Sequence, residues 1–240
     1  MTKLRSSEQK RSTVWRVLSR GWKAYADNVV SFILIHIFWG AIVAACMLPT
    51  VAATGRMKAL AGVASIAHPS SIGRAVVLTI VLSLVILPLL YGGLSRAYIR
   101  AVRGQTVRFG DLFSGVHSFG RVLIGFIVVG VSLFGGALLL ILPGIVLGLM
   151  FSLTFFFIVD KDLAAFQALG ASWNTVGKHF LVCFIVFLIY LAVPFVVSLL
   201  GRVPYANYII IPVNWLVITP FTSCSLATLY VQLTTTEAVE

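Results

Sequence analysis

His36 is the one strongly ionisable side chain placed well inside an apolar run, about two helical turns from its start. An ionisable group at membrane depth is expensive, so it is a functional hypothesis wherever it occurs. An imidazole there can relay a proton, ligate haem, or sit neutral and hydrogen-bonded to a neighbouring helix. Haem needs a second axial ligand at similar depth, which His68, His117 and His179 do not match. The neutral, hydrogen-bonded imidazole is the favoured reading. Asn207 and Asn214 stand beside Pro212 and Pro220 and make the last apolar segment the most polar and interrupted of the set. A discontinuous membrane helix can turn backbone groups toward a substrate, but neighbouring helices can also satisfy those groups. His36, Asn207 and Asn214 are therefore candidates for substrate contact or for helix packing.

A second constellation is basic. Arg96, Arg100, Arg103 and Arg108 fall within one segment that ends at Arg121 and contains a single acid, Asp111. Arginines at a membrane surface attract anionic headgroups, at about 1 kcal/mol each. These four are candidates for lipid-headgroup contact, although any cytoplasmic loop of a membrane protein also carries such charges. The three cysteines, Cys46, Cys183 and Cys224, lie in apolar runs without CxxC spacing, so neither a disulfide framework nor a zinc site is indicated. No nucleophile and base, carboxylate pair or metal-ligand spacing occurs at membrane depth. The expectation is a non-enzymatic protein with no catalytic residue, cofactor or metal.

The elements that must position these residues are membrane spans. Of 240 residues, 60% are hydrophobic and 10% charged, far from the roughly one-quarter charged composition of a soluble domain. Six runs have the roughly 20-residue length that crosses a hydrocarbon core about 30 Å thick. They cover residues 29–48, 75–94, 122–142, 144–159, 180–200 and 208–229. The N-terminal run is too long for a signal-peptide core, and its Arg- and Ser-rich leader also has the composition of a mitochondrial presequence. The third and fourth runs are parted only by Pro143-Gly144, which predicts a tight hairpin turn with a short fourth span. Gly144 and Gly148 form a small-xxx-small pair suited to close helix packing. Gly92-Gly93 and Gly135-Gly136 predict further close approaches or bends.

Orientation follows from Lys and Arg. With the N-terminus inside, fourteen of the eighteen fall on cytoplasmic segments, and only Arg56, Lys58, Arg74 and Arg202 fall outside. The net charge of +11 is thus spread between apolar spans. Anionic lipid, rather than nucleic acid, is the expected counter-surface, with a membrane-protein partner or a second copy as further candidates. Ahead of the odd-numbered spans lie three amphipathic segments, 14–25, 109–115 and 163–173. In the first, Val14, Leu18, Trp22 and Tyr25 share a stripe. In the third, Phe166, Leu169, Gly170 and Trp173 do. Gly21-Trp22 and Ser172-Trp173 stand at the same distance from the spans that follow, which suggests a repeated unit of interfacial helix plus hairpin.

Leu140 to Gly148 around Pro143-Gly144, then Val159-Asp160-Lys161 and Ala168-Leu169-Gly170-Ala171-Ser172-Trp173, resemble a group of bacterial six-span proteins. That group includes the membrane domain attached to some glycerophosphoryl diester phosphodiesterases, together with stand-alone relatives. Arg100 to Gly104 and Phe109 to Gly115 are similar to its cytoplasmic loop, so the resemblance covers roughly residues 14–231. It implies architecture. The phosphodiesterase activity belongs to a separate barrel domain, whose soluble cluster of His, Glu and Asp is absent here. The reading is an all-α membrane protein of the bacterial inner membrane, six transmembrane helices as three hairpins with cytoplasmic interfacial amphipathic helices. Residues 1–28 form a basic cytoplasmic segment, 29–231 the membrane domain and 232–240 a cytoplasmic tail. It organises lipid or partner proteins or, alternatively, serves as a transporter or transport subunit for a lipid-like or small apolar substrate.

Overall fold

A computed structural model describes residues 2–53, 69–139, 141–200 and 207–237. Every element among them is helical: α1 (Thr2–Asp27), α2 (Val29–Ala53), α3 (Pro69–Val102), a 3₁₀ helix (Phe109–Ser118), α4 (Phe119–Leu139), α5 (Ile141–Met150), α6 (Thr154–Asp160), α7 (Ala165–Lys178), α8 (Phe180–Leu200), α9 (Asn207–Val213), a π-helical segment (Asn214–Ile218) and α10 (Thr219–Glu237). Among the described residues six stretches are long and apolar enough to cross a membrane: Val29–Ala52, Gly73–Val102, Phe109–Leu138, Leu142–Asp160, Phe180–Val197 and Tyr208–Thr235. The chain is an all-α, multi-pass membrane protein whose spans match the six apolar runs of the sequence.

Helix α3 is the axle of the bundle, touching α1, α2, the 3₁₀ helix, α4, α6 and α10. Its two halves differ. Residues 76–78, 80–81 and 84–85 are exposed, whereas Leu90, Leu94, Ala97, Tyr98 and Ile99 are buried. The other spans repeat this: Phe32, Ile35 and His36 of α2, Cys183 and Val186 of α8, and Leu229 and Tyr230 of α10 are buried. Val131, Phe134 and Leu138 of α4 and Phe195 of α8 are exposed. The packed core therefore occupies the end where α3 finishes and its arginines stand. At the other end apolar side chains face outward, as lipid-facing surfaces must.

Two glycine positions permit the core. A Cβ on Gly93 would overlap the Leu112 carbonyl, and one on Gly115 the Leu89 carbonyl, so the 3₁₀ helix lies backbone to backbone on α3. Helix α3 ends on Gly104 (φ +73°) with Gln105 N–H donating to Arg100 O at 2.9 Å and Gly104 N–H to Ala101 O at 3.0 Å. That is a Schellman termination, which satisfies the last carbonyls.

The third and fourth spans form a hairpin, but its turn is not at Pro143-Gly144. Helix α4 ends at Leu139 and α5 starts at Ile141, with both residues inside α5. Pro143 occupies the first turn, where a missing N–H breaks no helical bond. Gly144 instead lies against Ala137 and Gly136, where an added Cβ would meet Ala137 N at 3.2 Å. Gly148 meets Leu133 and, on α8, Phe187. Contact continues to Phe126 and Phe155, 5.7 Å between centroids, and ends at the Arg121–Asp162 ion pair. Both arms thus run the same length, about 30 Å at 1.5 Å per residue, enough to cross. The second arm is broken at residues 151–153, and the Ser172 hydroxyl donates to the Met150 carbonyl there at 2.6 Å.

Two of the amphipathic segments ahead of the odd-numbered spans, α1 and α7, dock through faces that combine one stripe residue each, Tyr25 and Leu169, with small residues. In α1 the buried residues include Val17, Gly21, Ala24 and Tyr25, and an added Cβ on Gly21 would lie 2.7 Å from the Ser225 Cα of α10. In α7 they include Ala168, Leu169, Ser172 and Val176. Trp15, Trp22, Phe166 and Trp173 point outward. Small residues let helices approach closely in a membrane, and the bulky apolar ones are left for the lipid side. Gly21-Trp22 and Ser172-Trp173 share this arrangement, a buried small residue followed by an exposed Trp.

Candidate functional site

Inside the packed half lies a cavity of about 150 Å³. It is lined by α2, α3, α6, α8, the π segment and α10, and its walls include His36, Trp39, Tyr98, Tyr190, Trp215 and Ser223.

His36, 2% exposed, is fixed at both ring nitrogens. Its Nδ1 lies 2.8 Å from the Phe32 carbonyl, which can only accept, so Nδ1 carries the proton. In the uncharged ring that so buried a site favours, Nε2 is then the acceptor for the Tyr98 hydroxyl, 3.1 Å away on α3. The ring is thus tied to a neighbouring helix. An axial bond to haem would have to displace Tyr98. Tyr98 also stacks on Phe32 (5.3 Å) and Phe32 on Tyr25 (6.2 Å), which ties α1, α2 and α3 into one aromatic file.

The opposite wall comes from the interrupted last span. Pro220 has no N–H and leaves the Leu216 carbonyl without its usual helical donor. The Tyr25 hydroxyl of α1 supplies one at 3.0 Å. Upstream, the Asn214 carbonyl accepts the Thr219 N–H, closing the wide π turn, and the Thr219 hydroxyl at 3.0 Å. The bulge turns Trp215 against Trp39, with centroids 5.1 Å apart and planes 27° apart. The Trp215 indole N–H donates to the His36 carbonyl at 3.2 Å, seated over Gly40. π-Bulges recur at functional sites.

One helical turn outward from Phe156 and Leu226 is a polar layer. Arg103 donates to both Asp160 oxygens at 2.7 and 2.8 Å, and the Tyr230 hydroxyl donates to Oδ2 at 2.9 Å. This layer joins the end of α3 to α6 and α10. The Asp160 carboxylate holds the Arg103 pKa above its ordinary value.

The four arginines divide. Arg96 donates to the carbonyls of Ser114 (3.0 Å) and Val159 (3.4 Å) and to the Ser118 hydroxyl (3.5 Å). Arg100 pairs with Asp111, whose carboxylate also accepts the Arg108 N–H at 2.8 Å. Arg103 is in the polar layer. Arg108 is exposed. Three of the four thus have partners within the chain. Asn214 shapes the π turn and is not in the cavity wall; the side chain of Asn207 lies outside the described residues. Pro143 and Gly144 belong to the hairpin tip, away from the cavity. Sequence reasoning found His36 but not Tyr98, Trp39 or Trp215. The available signal was depth: Trp39 and Trp215 sit within spans, whereas Trp and Tyr usually mark their ends.

Among the described residues no group of three or more His, Cys, Asp or Glu is placed to hold a metal ion. No family model matches the chain, and comparison with curated proteins and with solved structures finds no match.

Proposed function

We propose that this chain is a multi-pass protein of the bacterial inner membrane, with both termini cytoplasmic, that organises lipid or partner proteins there and catalyses no reaction. The resemblance to the membrane domain attached to glycerophosphoryl diester phosphodiesterases supports that setting. The observation that carries the reading is the company the arginines keep. At their end of the bundle α1, the 3₁₀ helix and α7 turn outward Trp15 (72% exposed), Val116 (57%) and Phe166 (70%). Exposed aromatic side chains beside cations suit the headgroup layer. With Arg96, Arg100 and Arg103 engaged internally, contact with anionic headgroups falls to Arg20, Lys23 and Arg108, all exposed.

Protein extracted in mild detergent should retain anionic lipid over zwitterionic lipid, and a variant with Arg20, Lys23 and Arg108 changed to Gln should lose that preference. Equal retention by both proteins would remove lipid organisation through these residues. Reporter fusions after Glu240 and at Gly104 should read cytoplasmic.

A second reading, a carrier for a lipid-like or small apolar substrate, is favoured by the cavity itself. Its wall holds polar and aromatic groups in the middle of an otherwise close-packed half.

A further inference from the structure

We infer that the cavity beneath the Arg103–Asp160–Tyr230 layer binds one small uncharged molecule, a six-membered ring bearing hydrogen-bond-accepting oxygen, such as an aryl ketone or the head of a benzoquinone. The inference deepens the carrier reading and rests on it for what the binding serves.

Size sets the first limit. About 150 Å³ is the volume at which an internal cavity takes a benzene-sized guest, and it is too small for a phospholipid or a peptide side. Charge sets the second. No Asp, Glu, Lys or Arg lines the cavity, and His36 has both nitrogens committed as a neutral imidazole, so an ionic guest would be buried without a counter-charge. The walls favour a ring. Six of the twelve lining residues are Trp, Tyr or Phe, and the Trp39–Trp215 stack presents a flat face. The polar groups favour an acceptor. The Tyr98 proton is spent on His36. Among the described residues none pairs with the hydroxyls of Tyr91, Ser95 and Tyr190, which line the same space. Helix carbonyls are used within their helices, so these hydroxyls and the Trp39 indole N–H, which is buried without a partner among the described residues, are groups left to donate to a guest.

The test uses the full chain in lipid nanodiscs and 4-fluoroacetophenone followed by fluorine NMR. The ketone should show saturable binding above its partition into lipid. Its fluorinated ethylbenzene analogue, which lacks the oxygen, should bind about fivefold more weakly. Tyr190→Phe, which keeps the ring and removes the hydroxyl, should weaken the ketone about fivefold and leave the hydrocarbon unchanged. Ser223→Leu, which fills the cavity, should abolish saturable binding while the protein keeps its helical signal. Absence of a saturable component in the unmodified protein, with water alone in the cavity, overturns the inference. So does binding unaffected by either substitution, or equal binding of the hydrocarbon or of a benzylammonium. Saturable binding without flux of the ketone across proteoliposomes would overturn the carrier reading and leave the site standing.

Discussion

The Tyr25 hydroxyl reaches 191 residues along the chain to the Leu216 carbonyl, at 3.0 Å. That carbonyl lacks a helical donor because Pro220 has no N–H. The first helix thus completes a break made by the last span, beside the Trp215 wall of the cavity. Tyr25→Phe should lower stability by about 1 kcal/mol, the net worth of one such bond. In a Pro220→Ala background, where position 220 regains an N–H, the same substitution should cost less. Unfolding of the four proteins in mixed detergent and denaturant measures the coupling; additive losses would mean that Tyr25 does not answer the proline.

The docking of α1 depends on Gly21. A methyl there would stand 2.7 Å from the Ser225 Cα and 2.8 Å from its nitrogen, atoms that cannot turn aside. Gly21→Ala should therefore cost about 1–3 kcal/mol from overpacking, despite the better helix propensity of alanine. Gly170, whose added Cβ would meet nothing within 4 Å, is the control. Gly170→Ala should be neutral or slightly stabilising. Limited proteolysis of the N-terminal segment should speed up in the first variant and not in the second.

How much of the fold and the site is legible in the sequence follows from what each feature needs. Spans are set by the length of apolar runs, a local property, so all six could be read directly. The helix faces could not. In α1 and α7 the apolar stripe divides, Tyr25 and Leu169 turning inward and Trp22 and Trp173 outward, because membrane packing rewards small residues such as Gly21 and Ser172 at the contact. Pro143-Gly144 reads as a turn, yet a proline also suits the first turn of a helix, and only the partner arm decides which. His36 announced itself by depth. Its partner Tyr98 lies 62 residues away, and no spacing within either span points to the pair.

The base of the hairpin should respond to acid. The hydrogen bond from Arg121 holds the Asp162 carboxyl below the ordinary carboxylate value. A depressed folded value means that the pair stabilises fully above the unfolded pKa of about 3.9 and loses that contribution as pH falls through the folded one. Between pH 5 and 8 the pair should give no pH dependence. Below about pH 4 the unmodified protein should lose hairpin protection, and Asp162→Asn, which tolerates the same left-handed backbone (φ +57°), should show a shallower acid limb. Hydrogen exchange at residues 119–125 and 156–162 checks this. Identical acid limbs would show that the pair carries no linkage.

Adjacent glycines test whether the third and fourth spans form one sealed hairpin. A Cβ on Gly136 would lie 3.0 Å from the Gly144 Cα and the Leu147 side chain, whereas one on Gly135 would meet nothing within 4 Å. The two positions share a helix and a depth, so they differ only in facing the partner arm. Gly136→Ala should destabilise by about 1–3 kcal/mol, because the opposing atom is backbone and must move with its helix. Gly135→Ala should be neutral or stabilise by up to about 1 kcal/mol, as alanine outranks glycine in a helix. Unfolding midpoints of the two alanine variants decide the matter: equal values would mean that the arms do not touch at the tip, and that the second arm does not cross beside the first.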